Sequence, residues 1–258
     1  MDFITLNHEI IEKEHICCAI SDMKGETCVS SKKAWMKERM NVGLVFTKLD
    51  VRGKVFIEYI PAEKAWCPII ADEYMFINCF WVSGQYKGQG YADKLLDRCI
   101  ADSKDKGKRG ITVLSSPKKM PFLSDPKYLK YKGFRLADSA LPHFELLYLP
   151  FDDSVPAPEF KSCAKDGRIP DKGWVLYYTN QCPHTDKYAP LIQKTAERHG
   201  VELLLRKIET TDEAKSAPSP FTTYSLFFDG KFVTNEILSE PKFKKYLLEK
   251  MNKGPALE

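Results

Sequence analysis

Apolar and polar positions repeat along this chain with two periods, and the switches between them mark out strands and helices. Residues 3–6 read as a short strand. Residues 9–20 carry Ile11, Ile16 and Ile20 on what reads as one helix face, and residues 30–40 read as a second helix. Residues 43–50 and 54–61 read as strands joined by a turn at Arg52-Gly53. Residues 74–82 are apolar on both faces, which predicts a strand in the middle of a sheet. A glycine turn follows, then a helix over 93–104, a strand over 110–115, a short helix over 127–132, and strands over 134–137 and 144–148.

Prolines and polar residues crowd residues 150–172 and break the periodic pattern. This predicts a first domain over 1–150, a linker over 151–172 and a second domain over 173–256. The second begins with a strand over 174–179. A helix then starts at Cys182-Pro183-His184-Thr185 and stops at Gly200. A strand over 201–208 comes next, then a hairpin of 223–228 with 231–237 about Asp229-Gly230, and a closing helix over 240–251. The fold class is α/β (α+β), in two units.

Composition narrows the function classes. The 258 residues are 43% hydrophobic and 29% charged, which is the composition of a soluble globular protein. The net charge is only +4, with both signs interspersed, so no nucleic-acid partner is expected. No run approaches the ~20 apolar residues of a membrane span, and the N-terminal residues lack a signal-peptide pattern, so no membrane partner and a cytoplasmic location are expected. None of the eight cysteines forms a Cys-x-x-Cys pair, and most read as reduced core residues. Neither cysteines nor histidines show metal-ligand spacing, so no metal is expected. Leu257-Glu258 reads as a cloning remnant.

The most informative segment is Tyr86-Lys87-Gly88-Gln89-Gly90-Tyr91-Ala92, between the strand over 74–82 and the helix over 93–104. Two glycines at a strand-to-helix turn expose backbone N–H groups where the helix dipole favours an anion. Ala92-Asp93 stands where a dinucleotide fold has its third glycine, and no Lys-Ser/Thr follows, so neither a Rossmann nor a P-loop reading fits. The run from Gln85 to Ala92, followed by Leu95-Leu96, resembles motif A of the GNAT acetyltransferases. Tyr131-Lys132-Gly133-Phe134 resembles that family's late helix-to-strand signature, and the element order of residues 1–150 agrees with it.

The resemblance implies a mixed-sheet acetyltransferase fold with acetyl-CoA as cosubstrate. Backbone groups of Lys87, Gly88, Gln89, Gly90, Tyr91 and Ala92 would hold its pyrophosphate, and Val82 and Ser83 would face its pantetheine arm. Ser116 would lie near CoA, with Ser115 beside it. The reaction would be attack of a primary amine on the thioester, the acceptor being a small molecule or a peptide. Glu73 or Tyr74 would serve as base, with Glu58 in reserve. The acid position of the family falls on Leu129, so Tyr128 could act as acid only with a shifted helix register.

The order of the second domain matches a thioredoxin-like core, and the combination resembles bacterial GNAT proteins with a C-terminal YoaP-type domain. Cys182 lies at a helix start, where a thiol becomes more acidic, so it is a monothiol candidate. Pro218 and Pro220 precede the hairpin where such domains carry a cis-proline. The readings left open are an acetyltransferase, a thiol redox or sensor protein centred on Cys182, and a CoA-binding module without turnover. The second domain reads as a lid or scaffold for the acceptor, a thiol unit, or a protein-binding unit.

Overall fold

The computed structural model describes residues 2–16, 19, 21–24 and 26–251. Cys17, Cys18, Ile20 and the chain end with Leu257-Glu258 lie outside them. The first sheet is built from β1 (Phe3–Thr5), β2 (Val45–Leu49), β3 (Val55–Pro61), β5 (Tyr74–Val82), β6 (Gly110–Ser115), β7 (Arg135–Ala140) and β8 (Phe144–Pro150). Its order is β1-β2-β3-β5-β6-β8-β7, so β5 is the central strand of seven. Every pairing is antiparallel except β5 with β6.

Helices cover both faces of this sheet. α2 (Tyr91–Asp105) and α3 (Pro126–Tyr131) bury Leu95, Leu96, Cys99 and Leu129 against Ile57, Tyr59, Met75, Ile77 and Val113. On the opposite face, α1 (Cys28–Met40) buries Trp35 and Met36 against Phe46, Phe56, Ile60 and Phe76. That second core continues into Ile208, Ala214 and Ala217 of the C-terminal half.

The C-terminal half has its own sheet, order β11-β10-β12-β13, from β10 (Trp174–Tyr178), β11 (Leu203–Lys207), β12 (Tyr224–Phe228) and β13 (Lys231–Thr234). β10 runs parallel to β11 and antiparallel to β12. α4 (Pro183–Arg198) and α6 (Glu240–Met251) cover it through Ala189, Ile192, Ala196, Phe243 and Leu247. Between the sheets, β4 (Ile69–Ile70) pairs with β9 (Glu159–Phe160), and Arg39 and Trp66 both donate to Thr211 Oγ1, at 2.9 and 3.1 Å.

Two sequence expectations are corrected, and one element had not been foreseen. The described residues of 9–20 form no helix: residues 9–13 are turns, and Ile16 makes an isolated bridge with Ala19. Asn7 Oδ1 accepts from the N–H groups of Glu9 and Ile10, and Ile11 and Ile16 are buried five positions apart, a spacing no single helix face repeats. The short helix α5 (Thr211–Lys215) was not anticipated, although Thr210 and Glu213 form a capping box around its start. The cis peptide among the described residues is Leu141-Pro142, not one at Pro218 or Pro220.

His143 ties the halves together. Its Nε2 lies 3.1 Å from Asn235 Oδ1, an oxygen that can only accept, and Asn235 Nδ2 donates to Pro121 O at 3.0 Å. Burial lowers the pKa of His143, and of His15 and His184, below the ordinary histidine value. A histidine held neutral binds fewer protons folded than unfolded. Its contribution to stability is therefore complete above an unfolded pKa of ~6.5 and is lost as pH falls through the lowered folded values. Tm is expected to drop between pH 7.5 and 5.5, before carboxylates titrate, and less in His143→Gln; thermal melts across that range check this.

Candidate functional site

β5 and β6 pair in parallel only from Tyr74 with Gly110 to Ile77 with Val113. Past that point β5 stays on β3 as far as Val82, while β6 stays on β8 as far as Ser115. The two strands therefore diverge and leave a wedge between them. A bulge sits at the mouth of the wedge: Tyr59 pairs with Ile77 and Glu58 with Cys79, leaving Asn78 as the extra residue.

On the α2 side, the wedge opens into a cavity of about 850 Å³. Phe80, Trp81 and Val82 form one wall, the glycine turn forms its end, and Tyr128 with residues 119–125 closes it. The turn is shaped by backbone rather than side chains. Gly88 and Gly90 have φ of 74° and 75°, and Gly90 caps α2 in the left-handed conformation. A Cβ built on either glycine meets nothing within 4 Å, and both glycines line the cavity. No side chain caps α2, and first-turn N–H groups such as those of Ala92 and Asp93 have no intrahelical acceptor.

The charges of the cavity leave a surplus cation. Asp93 pairs with Lys132 at 2.9 Å and Asp125 with Lys119 at 3.2 Å, whereas Lys87 has no ion pair among the described residues. The Lys132 hydrogen bond holds Asp93 below the usual carboxyl range. Tyr128 donates to Asp93 Oδ1 at 3.0 Å and packs edge-on against Phe80. Burial, then the hydrogen bond to Asp93, pushes the Tyr128 hydroxyl well above the usual tyrosine range, so it keeps its proton.

Of the residues singled out in the sequence, Val82, Lys87, Gly88, Gly90, Tyr91, Ala92 and Tyr128 line this one cavity. Others support it. Gln89 Nε2 folds back onto Gln85 O at 2.6 Å, and Ser83 N donates to Lys54 O at 3.0 Å. Ser115 donates to Ser124 O and Ser116 to Lys118 O, holding the loop that closes the cavity. Tyr74 starts the other end of β5, about 26 Å from Val82 at ~3.3 Å per residue, and Glu73 lies one residue before it. There Glu73 faces Arg109 at 3.4 Å and Tyr74 donates to Pro156 O at 2.9 Å. Cys182 precedes α4 in the C-terminal half and lies outside the lining, and Cys163 lies beside Lys215 O at 4.0 Å.

Two residues escaped the sequence reading. Phe122 takes a left-handed φ of 64°, uncommon for an aromatic residue, and lines three cavities at once. Asn78 faces the sheet surface opposite α2, where Lys32 donates to both oxygens of Glu58, at 3.0 and 2.7 Å. Asn78 was visible as the lone amide in an apolar run; its orientation depends on the bulge.

Comparison with known proteins adds the family. A family model described as YoaP-like matches residues 203–245. A protein described as an uncharacterized N-acetyltransferase YoaP, from Bacillus subtilis (strain 168), is 45% identical over 247 residues, covering 96% of this chain and 98% of that one. The chain belongs to the YoaP family of N-acetyltransferases. Solved structures similar to it include a GNAT-family acetyltransferase of Staphylococcus aureus Mu50, 16% identical with a TM-score of 0.39, over 58% of this chain and 99% of that one. The PaiA N-acetyltransferase of Thermoplasma acidophilum in complex with coenzyme A is also 16% identical, with a TM-score of 0.38 over the same shares. In this YoaP-family chain, the segment matched by the family model includes Phe221 and Thr222, which face the wedge from the far side of the sheet.

Proposed function

We propose that this protein is an acetyl-CoA-dependent N-acetyltransferase that transfers the acetyl group to a primary amine by direct attack on the thioester. The observation that carries this reading is the wedge between β5 and β6, joined on one side to a cavity that ends at an uncapped helix N-terminus. The open backbone at Gly88 and Gly90, with the cation of Lys87 beside it in the cavity lining, supports a pyrophosphate site there. The backbone of β5 from Phe80 to Val82 has no strand partner on the β6 side and offers hydrogen bonds to a pantetheine arm.

The acetyl carbonyl would then lie in the wedge. The amine nitrogen forms a bond to the carbonyl carbon, and the C–S bond breaks as the tetrahedral adduct collapses. The nitrogen gives up a proton to water, and the Tyr128 hydroxyl, turned from Asp93 to the departing sulfur, passes its proton to the CoA thiolate and regains one from that water. Tyr128→Phe is expected to lower kcat about 10²–10⁴-fold with acetyl-CoA affinity within about twofold; steady-state thiol release and calorimetry measure the two. Titration of the protein with acetyl-CoA tests the whole reading, and no binding at millimolar ligand would sink it.

The boundaries proposed from sequence stand with this reading: an acetyltransferase domain over 1–150, a linker over 151–172 and a thioredoxin-like domain over 173–256. The strand order β11-β10-β12-β13, with α4 joining the parallel pair, supports the last. A reducing, cytoplasmic, bacterial setting suits the buried thiols of Cys28, Cys67 and Cys99.

A further inference from the structure

We infer that the acceptor is a small, unhindered primary amine that enters the wedge from the face turned toward the C-terminal half, and that Asn78 holds its nitrogen. This rests on the acetyltransferase reading and adds the acceptor side to it. The first observation is an orphaned acceptor. Asn78 Nδ2 donates to Glu58 Oε1 at 3.2 Å; a carboxylate can only accept, so the amide orientation is settled. Asn78 Oδ1 is therefore turned away from Glu58, and it is buried with no hydrogen-bond partner. Such groups are rare in folded proteins, and each calls for a partner such as a bound water or a ligand.

The amide is held firmly. Lys32 on α1 bridges both oxygens of Glu58 on β3, and Glu58 in turn orients Asn78 on β5. An amine N–H donated to Asn78 Oδ1 leaves the nitrogen lone pair for the thioester. As the C–N bond forms, the nitrogen becomes cationic and this hydrogen bond strengthens, so the contact favours the transition state over the ground state.

The second observation is the size of the approach. Asn78 and Leu114 share a void of about 30 Å³ with Gln181, Phe221 and Thr222 of the C-terminal half. That is room for about one water molecule, and it suits an –NH₂ group on an unbranched carbon. Phe122 borders both this void and an outer cavity of about 260 Å³ that contains His184, Tyr188 and Glu236. The outer space is below the roughly 300–1,000 Å³ of drug-sized sites. Glu236 is already ion-paired with Lys242, and burial keeps His184 neutral, so the walls suit an uncharged body on the amine.

The test is a thiol-release assay with acetyl-CoA across butylamine, ethanolamine and phenethylamine, their N-methyl and α-branched counterparts, and peptides with a free N-terminus or an internal lysine. Unhindered primary amines are expected to react at least about 100-fold faster than the N-methyl forms. Asn78→Leu is expected to lower kcat/KM for the amine about 10–100-fold, the worth of one hydrogen bond to a charged group. Acetyl-CoA affinity by calorimetry should stay within twofold, which also reports folding; if that variant loses acetyl-CoA binding, Asn78→Ser carries the same comparison. The proposal falls if the Asn78 variants keep wild-type amine kinetics, if N-methyl amines react equally, if only peptides are acetylated, or if acetyl-CoA binds and no small amine turns over. Absence of acetyl-CoA binding to the unmodified protein overturns the acetyltransferase reading itself.

Discussion

Gly90→Glu is expected to abolish acetyl-CoA binding while leaving the protein folded. Gly90 is the left-handed cap of α2 with φ of 75°, and a side chain there points into open space within the cavity. Two effects follow. The backbone strain of a non-glycine residue in this region costs about 1–2 kcal/mol, which lowers Tm by several degrees. The carboxylate also faces the bound pyrophosphate, and two like charges near a protein surface about 4 Å apart repel by roughly 4 kcal/mol, or a thousandfold in affinity. Gly107→Glu is the control. Gly107 follows the opposite end of α2 with φ of 69° and equally open surroundings, so it carries the same strain away from the cavity. Calorimetry should find acetyl-CoA binding lost in Gly90→Glu and unchanged in Gly107→Glu. Retained affinity within about fivefold in Gly90→Glu would show that the pyrophosphate lies elsewhere.

Lys32→Met is expected to cost about 3–5 kcal/mol of stability. Both partners of the Lys32–Glu58 pair are fully buried, and removing the ammonium leaves a carboxylate in the core with the Asn78 amide as its one remaining hydrogen-bond donor among the described residues. For a chain of this length that is a Tm drop of roughly 10 °C or more. Adding Glu58→Leu removes the stranded charge, and replacing a buried pair by packed apolar groups is often neutral, so the double variant should recover most of the lost Tm. It should not recover activity, because Asn78 then has nothing to orient its amide. Melting curves and amine kinetics on the three proteins separate the two roles of the cluster. A double variant as active as the unmodified chain would mean that Glu58 serves the fold alone.

Most strands of the first sheet were legible because each is a run of apolar residues bounded by turn chemistry. β5 and β6 have the bounds the pattern predicts, and the long apolar run placed β5 at the centre. The glycine turn was legible because its geometry comes from residues that only backbone rules constrain. Residues 9–16 were misread because buried Ile11 and Ile16 suggest periodicity while Asn7 redirects the backbone into turns. β4 and β9 are two residues each, too short to carry any pattern. On the site, sequence could point to one wall only. The other wall is assembled from Asn78, Gln181, Phe221 and Thr222, far apart in the chain and joined by packing between the halves.

The extra residue at Asn78 also sets the phase of everything after it on β5. Up to Ile77, alternate side chains face α2; past the bulge, Phe80 and Val82 do so, which even numbers would not have done without the inserted position. Excising Asn78 would therefore close the bulge and leave Phe80 and Val82 on the α2 side, whereas pairing the same nine residues without a bulge would turn both to the other surface. The cavity wall is thus a matter of counting: the strand needs either its bulge or one residue fewer to turn these two side chains toward the cavity.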